Sequence, residues 1–268
     1  MGTVGLTKVI AIHSFKGGTG KTTLTANIAA TLATHSRVGV MDLDLSGPGL
    51  HVIFGLKKGE IKATLSDIFL GEAEPAETII DLSPKFDLKK GGLFFCPASN
   101  KIEDMLRLLK SGLEVSVFKD TIQKVGEQCK LDYIIVDTHP GVENDTVLAM
   151  GCCDALVLVS RVDQQDLFGT AVMVMLAETF EKPTFLALNM VPPGVRIKDA
   201  VKVGKDLAVL FKSHFLAAFE FQIDVINNLS RSVFVLDNPN SNFAKKVSEA
   251  VENLEKELAG MSAQQSSL

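Results

Sequence analysis

The chain has no tryptophan, a single tyrosine (Tyr133) and only four cysteines (Cys96, Cys129, Cys152 and Cys153) in 268 residues. None of the cysteines stands in C-x-x-C spacing, which favours reduced thiols over a disulfide framework. Long apolar runs are also missing. A stretch such as "DALVLVS" (154–160) is far short of the roughly 20 residues needed to cross a bilayer. There is no basic excess: 27 Lys+Arg against 32 Asp+Glu leave a net charge of −5, which argues against whole-protein attraction to nucleic acid or anionic lipid. The opening "MGTVGLTKVIAIHS" lacks a basic flank, a long apolar region and a small-residue cleavage site, so it does not read as a signal peptide, and Leu6 stands where a myristoylation motif needs Ser or Thr. The expected location is cytoplasmic. No Pro/Gly/Ser linker and no internal repeat divides the chain. The expectation is one domain over 1–260, followed by a polar, disordered tail at 261–268.

What is present is an ordinary folded composition, 46% hydrophobic and 22% charged. Continuous apolar runs recur at 8–14, 37–44, 92–99, 132–138, 155–160, 184–190 and 217–221. Such runs suit strands buried on both faces, as in a parallel sheet covered by helices. Helical patterns lie between them: after position 20, where Leu24, Ile28 and Leu32 recur every four residues, and at about 102–110, 114–128, 164–180, 198–213 and 242–259. The last carries Phe243, Val247, Val251, Leu254 and Leu258 on one stripe, with Gly260 read as its stop. The expected fold is α/β, a single three-layer domain with a mainly parallel, doubly wound sheet of the P-loop NTPase type.

The most informative stretch is "HSFKGGTGKTTL" (13–24). A triphosphate beside a sheet needs inward-pointing backbone N–H groups and gains from the positive end of a following helix. Gly17, Gly18, Thr19, Gly20, Lys21, Thr22 and Thr23 form such a segment, with Lys21 for the β/γ phosphates and Thr22 for Mg²⁺. It follows an expected strand and opens an expected helix. The usual spacing G-x-x-x-x-G-K-[ST] would put glycine at 15, where the chain has Phe15, and an additional lysine, Lys16, follows. The loop therefore resembles the variant K-G-G-x-G-K-[ST] that marks the MinD/ParA group of P-loop ATPases, a resemblance extending over about residues 7–259.

That resemblance implies a Mg·ATP-dependent homodimer with two nucleotides sandwiched at the interface. Lys16 would cross to the partner's nucleotide and act as a cationic finger in trans. Phosphoryl transfer also needs carboxylates at strand ends beside the loop, and "VMDLDLSGPG" and "YIIVDTHPG" supply Asp42, Asp44 and Asp137. By the resemblance Asp137 is the Walker B aspartate and Asp44 positions water; Thr22, Asp44 and Asp137 are the candidate Mg²⁺ set. Asn189, ending "TFLALN", matches the family's adenine-binding asparagine. His139 replaces a small residue or proline, and the switch I glutamine is absent.

The resemblance leaves the cargo and the partner protein open. Residues beyond Gly260 include no Lys, Arg or aromatic residue, against a C-terminal membrane-targeting helix. Lys198, Lys202, Lys205 and Lys212 share one expected helical face, a candidate for sequence-independent DNA contact. The plainer reading is a solvated face partnered by Asp199 and Asp206. Cys152-Cys153 is the candidate for a metal-cluster role. The expected function is a slowly hydrolysing ATPase that acts as a switch for spatial positioning or partition of a cargo; the alternatives are a non-hydrolysing nucleotide-gated adaptor and a metal-cluster carrier or maturation factor.

Overall fold

The computed structural model describes residues 7–57 and 59–265. The N-terminal leader and myristoylation readings, and the last three residues of the tail, lie outside them. The strands are β1 (Lys8–His13), β2 (Arg37–Asp42), β3 (Ile80–Asp81), β4 (Gly92–Cys96), β5 (Tyr133–Asp137), β6 (Ala155–Ser160), β7 (Thr184–Val191) and β8 (His214–Glu220). They form one sheet in the order β3-β4-β2-β5-β1-β6-β7-β8, parallel throughout except for the short edge strand β3. Every apolar run in the sequence becomes a strand, because each is covered from both sides. Ile10 and Ile12 of β1 face one core layer and Val9 and Ala11 the other. Strands β2, β5 and β6 divide their side chains between the same two layers.

Helices cover both faces. On one side lie α1 (Lys21–Leu32), α2 (Leu50–Ile53), α10 (Phe234–Asp237) and α11 (Asn242–Gln265). On the other lie α3 (Leu65–Phe69), α4 (Ile102–Ser111), α5 (Val115–Cys129), α6 (Asn144–Cys152) and α7 (Gln164–Thr179). Helix α1 is buried nearly all round, as a helix sandwiched between the sheet and α11 must be. Helix α8 (Ile197–Leu210) closes the far edge against β7 and β8, where Gly204 admits the Phe215 ring: a Cβ there would sit 2.2 Å from it. Helix α9 (Ile223–Asn227) follows β8. No helix among the described residues is long and apolar enough to cross a membrane.

Three boundaries differ from the sequence reading. Helix α11 continues through Gly260 to Gln265, because Met261 extends the apolar stripe onto the core and outweighs a mid-helix glycine, which costs about 1 kcal/mol. Helix α8 stops at Leu210, and Lys212 adopts a left-handed backbone (φ 48°) that leads into β8, three residues earlier than the expected start at 217. Lys212 therefore leaves the helical face that Lys198, Lys202 and Lys205 share. The short helices α2, α3, α9 and α10 and strand β3 are too brief for periodicity to reveal.

The order places β1 between β5 and β6: strands β2 to β5 lie to one side of β1, and the chain then crosses it to lay β6, β7 and β8 on the other. In open parallel sheets that reversal opens a crevice at the carboxyl ends of the strands. The loop at 14–20 lies there.

Candidate nucleotide site

The loop between β1 and α1 turns on two glycines with positive φ, Gly18 (77°) and Gly20 (81°). Gly20 caps α1 without any side-chain bond to the first-turn amides, so those N–H groups are left for a ligand. Crowding fixes Gly20 as well, since a Cβ would lie 2.5 Å from Asn189 Nδ2. The Thr19 hydroxyl is buried and has no hydrogen-bond partner among the described residues. An uncapped helix start, a turn closed to side chains at Gly20 and an orphaned hydroxyl are what a phosphate group would satisfy.

Behind the loop, the register of β2 and β5 sets Asp42 beside Asp137. Asp137 is fully buried and accepts three hydrogen bonds: from Lys21 Nζ (2.9 Å) and Thr25 Oγ1 (2.7 Å) on Oδ1, and from Thr22 Oγ1 (2.8 Å) on Oδ2. Lys21 is itself only 6% exposed. Burial and the neighbouring Asp137 charge push the Asp42 carboxyl well above the usual carboxylate range. The loop thus brings Lys21, Thr22 and the two strand-end aspartates together, as the sequence spacing predicts. Among the described residues no three His, Cys, Asp or Glu side chains form a dedicated metal cage. A Mg²⁺ ion suits such a site, because it keeps several waters and is held by one or two carboxylates plus phosphate. Thr22 and Asp137, already 2.8 Å apart, are the pair best placed to hold it.

Asp44 lies one turn of chain beyond Asp42. Its Oδ1 accepts from the Gly47 amide (3.0 Å) and from His139 Nδ1 (2.8 Å). His139 therefore reaches across from the β5–α6 loop to the β2–α2 loop. Its carbonyl accepts from Thr146 Oγ1, which also bonds the Gly141 carbonyl, and the Gly141 amide returns to Ser14 O (3.0 Å). The two strand-end loops and the glycine-rich loop are consequently one hydrogen-bonded unit.

Lys16 points away from this unit. Its ammonium donates to Gln165 Oε1 and lies 3.7 Å from Asp166 at the start of α7, and its side chain is 32% exposed. Asp166 is also bonded by Arg161 Nε (2.7 Å). Phe15 fills the space beside Gly169, whose Cβ would sit 2.1 Å from the ring. The residue at 15 that breaks the usual glycine spacing is thus a wedge that seats the loop on α7.

Asn189 stitches the loop to β7 by donating to Thr19 O (2.7 Å). It also lines a cavity of about 130 Å³ with Gly20, Thr23, Met190, Phe221 and Gln222. Two residues escaped the sequence reading. Thr25 follows Lys21 by four positions, a polar side chain on an apolar helix, which is a usable signal. His13 looked like a strand residue. It is buried, its Nδ1 bonds Thr138 Oγ1 (2.7 Å), and burial aided by the Lys21 and His139 charges lowers its pKa to about 3.

The other candidate residues are not gathered. Cys153 is buried, with its thiol pushed up to about 12, and Cys152 is half-buried beside it. Asp199, expected to partner the lysine face of α8, is held by Arg196 at 2.6 Å, which leaves Lys198, Lys202 and Lys205 exposed.

A family model described as an AAA domain matches residues 7–190. The flagellum site-determining protein YlxH of Helicobacter pylori is 31% identical over 221 residues, 81% of this chain and 70% of that one. The septum site-determining protein MinD of Thermotoga maritima is 25% identical, with 94% and 88% of the two chains covered. The structure of Pyrococcus horikoshii MinD complexed with Mg-ADP superposes with a TM-score of 0.76 at 22% identity, covering 96% of this chain and 98% of that one, and shows that the fold is shared.

Proposed function

The chain belongs to the MinD/ParA family of P-loop ATPases, and from that premise we propose that it binds Mg·ATP, dimerises in the ATP state, hydrolyses slowly and thereby switches the positioning of a cellular cargo. One observation carries the reading. Lys21, Thr22, Asp137 and Asp44 converge behind the loop, while the Lys16 ammonium stands outside that cluster, on Gln165 and Asp166 at the start of α7.

In this reading the Lys21 ammonium, which now neutralises Asp137, takes the charge of the β and γ phosphates. Thr22 and Asp137 hold Mg²⁺, which supplies charge neutralisation across the phosphoryl oxygens. Asp44 orients the attacking water through the carboxylate oxygen that the Gly47 and His139 bonds leave free. Asn189 and the cavity beside it receive the adenine. Lys16 leaves Gln165 and reaches the nucleotide of a second copy. Exposed apolar side chains follow the strand ends, among them Val142, Phe168, Phe221 and Ile223, which suits burial against that copy.

The positioning role rests on similarity to site-determining relatives. The exposed lysines of α8 remain a candidate for DNA contact, and the protein is taken to work from the cytoplasm. Light scattering with ADP and with ATP, together with ATP turnover of wild type and Asp44→Ala, tests the reading. A dimer that forms only with ATP, and turnover that falls about a hundredfold in Asp44→Ala, are expected if water is misplaced. Equal near-zero turnover in both proteins would assign the chain to the nucleotide-gated adaptor class instead.

A further inference from the structure

His139 departs from the family pattern, and its place in the structure gives that departure a use. Its imidazole reaches from the loop after β5 to the loop after β2 and donates from Nδ1–H to Asp44 Oδ1 at 2.8 Å. The Gly47 amide donates to the same oxygen at 3.0 Å. Among the described residues no hydrogen bond falls on Asp44 Oδ2. A carboxylate held twice through one oxygen has its rotation about χ2 fixed, and its second oxygen is aimed without being used.

The His139 ring is positioned rather than loose. Its own carbonyl is bonded by Thr146 Oγ1 at 3.2 Å, and the Gly141 amide two residues on is tied to Ser14. Away from Asp44 the ring borders a cavity of about 300 Å³ lined by Leu45, Leu109, Leu113 and Asp145. The bond to Asp44 is the one hydrogen bond of the imidazole among the described residues. Its side chain is 31% exposed and that of Asp44 11%, so the bond is sheltered from water.

We propose that His139 is a positioning residue for hydrolysis: it locks the Asp44 carboxylate in the rotamer that presents Oδ2 to the attacking water, and it couples the β2–α2 loop to the β5–α6 loop so that the two move together. The Asp44 side chain hangs from a loop, not from a strand, and a loop alone does not hold a carboxylate to the few tenths of an ångström that an in-line attack requires. Small residues or proline at position 139 would leave that work to other contacts. His139 touches neither phosphate nor water in this scheme and acts only through Asp44.

The inference rests on the ATPase reading of the site, but one readout is independent of it. His139→Ala and His139→Asn are compared with wild type by amide hydrogen exchange at Gly47 in the nucleotide-free protein, and by kcat and KM for ATP. Asparagine can place an N–H near the position of the imidazole Nδ1–H, whereas alanine cannot. In His139→Ala the Gly47 amide should exchange faster, and kcat should fall about tenfold, the lower end for loss of an orienting partner. KM should stay within about twofold, because ground-state binding does not use the bond. His139→Asn should restore both Gly47 protection and most of kcat, which a purely structural role for the ring would not predict. If wild type fails to turn over ATP, the hydrolysis reading fails and with it the catalytic half of this one, while the Gly47 comparison still decides whether His139 holds the Asp44 loop. Equal Gly47 exchange in wild type and His139→Ala, or an unchanged kcat, overturns the proposal.

Discussion

Lys21 at the first position of α1 and Lys16 in the loop stand five residues apart, and the structure treats them oppositely. Lys21 is 6% exposed and paired at 2.9 Å to a carboxylate that is itself fully buried and bonded by Thr22 and Thr25. Lys16 is a third exposed and rests on the first turn of α7, beside an Asp166 already engaged by Arg161. The first is part of the core, and any ligand that displaces it must supply an equivalent set of charges. The second is held by contacts that cost little to leave. On the proposed function, the first lysine holds nucleotide and the second communicates outward.

The contrast breaks most severely at Lys21. Lys21→Ala leaves Asp137 buried beside Asp42 without its cation, and removal of one partner of a buried pair costs about 3 kcal/mol. Denaturant unfolding should register that loss, and fluorescent ATP-analogue titration should find no binding. Lys16→Ala is expected to leave stability unchanged and to keep affinity for ATP in the monomer within about threefold, as exposed ion pairs are worth under 1 kcal/mol. Its effect should appear only as loss of the ATP-dependent dimer in light scattering. A Lys16→Ala protein that still dimerises with ATP at wild-type affinity would remove the division of labour altogether.

A subtler difference lies beneath Lys21. His13 is buried and neutral, with a folded-state pKa near 3 against about 6.5 in an unfolded chain. Because the folded value is depressed, the stabilisation is complete above pH 6.5 and is lost as pH falls toward 3. Between pH 7 and pH 5 this one group should remove about 2 kcal/mol. His13→Gln, which cannot titrate, should flatten that part of the pH–stability curve in urea melts even if it lowers stability at pH 7. An unchanged acid slope would mean that His13 gains a proton without leaving its site.

Much of the molecule was legible because its signals are local. Seven apolar runs became strands since each is covered on both faces, and G-K-T after a strand located the loop and its helix. Asp42, Asp44 and Asp137 could be named because the strand ends beside the loop are where a parallel sheet gathers its functional carboxylates. What was hidden depends on residues far apart in the chain. His139 meets Asp44 across 95 positions, and Asn189 meets Thr19 across 170. Spacing carries no trace of either bond. Gly260 misled because a glycine that ends a helix and one that a packed stripe carries through look alike in sequence. Helix α6 was missed because "NDTVLAMGC" buries residues on too many sides to show a stripe.

Phe15 is the sharpest instance, since it broke the motif spacing and had no evident purpose until α7 was in place. Its ring occupies the space that a side chain at Gly169 would need, with a Cβ there only 2.1 Å from the ring. The pair therefore sets how the Lys16 side of the loop sits on α7, as Asn189 sets the Lys21 side against β7. Gly169→Ala should cost about 2 kcal/mol, within the range for overpacking, because the added Cβ would also lie 2.7 Å from Phe15 Cβ, which the ring cannot carry away by rotating. Phe15→Ala should cost a similar amount by opening a void. If the two residues form one joint, the double variant costs less than the sum of the singles by about 0.5 kcal/mol or more. The same cycle read in light scattering sharpens the comparison of the lysines: Gly169→Ala should weaken the ATP-dependent dimer while leaving monomer affinity for the nucleotide intact. Additive stabilities with an unaltered dimer would reduce Phe15 to filler and leave α7 without a hand in placing Lys16.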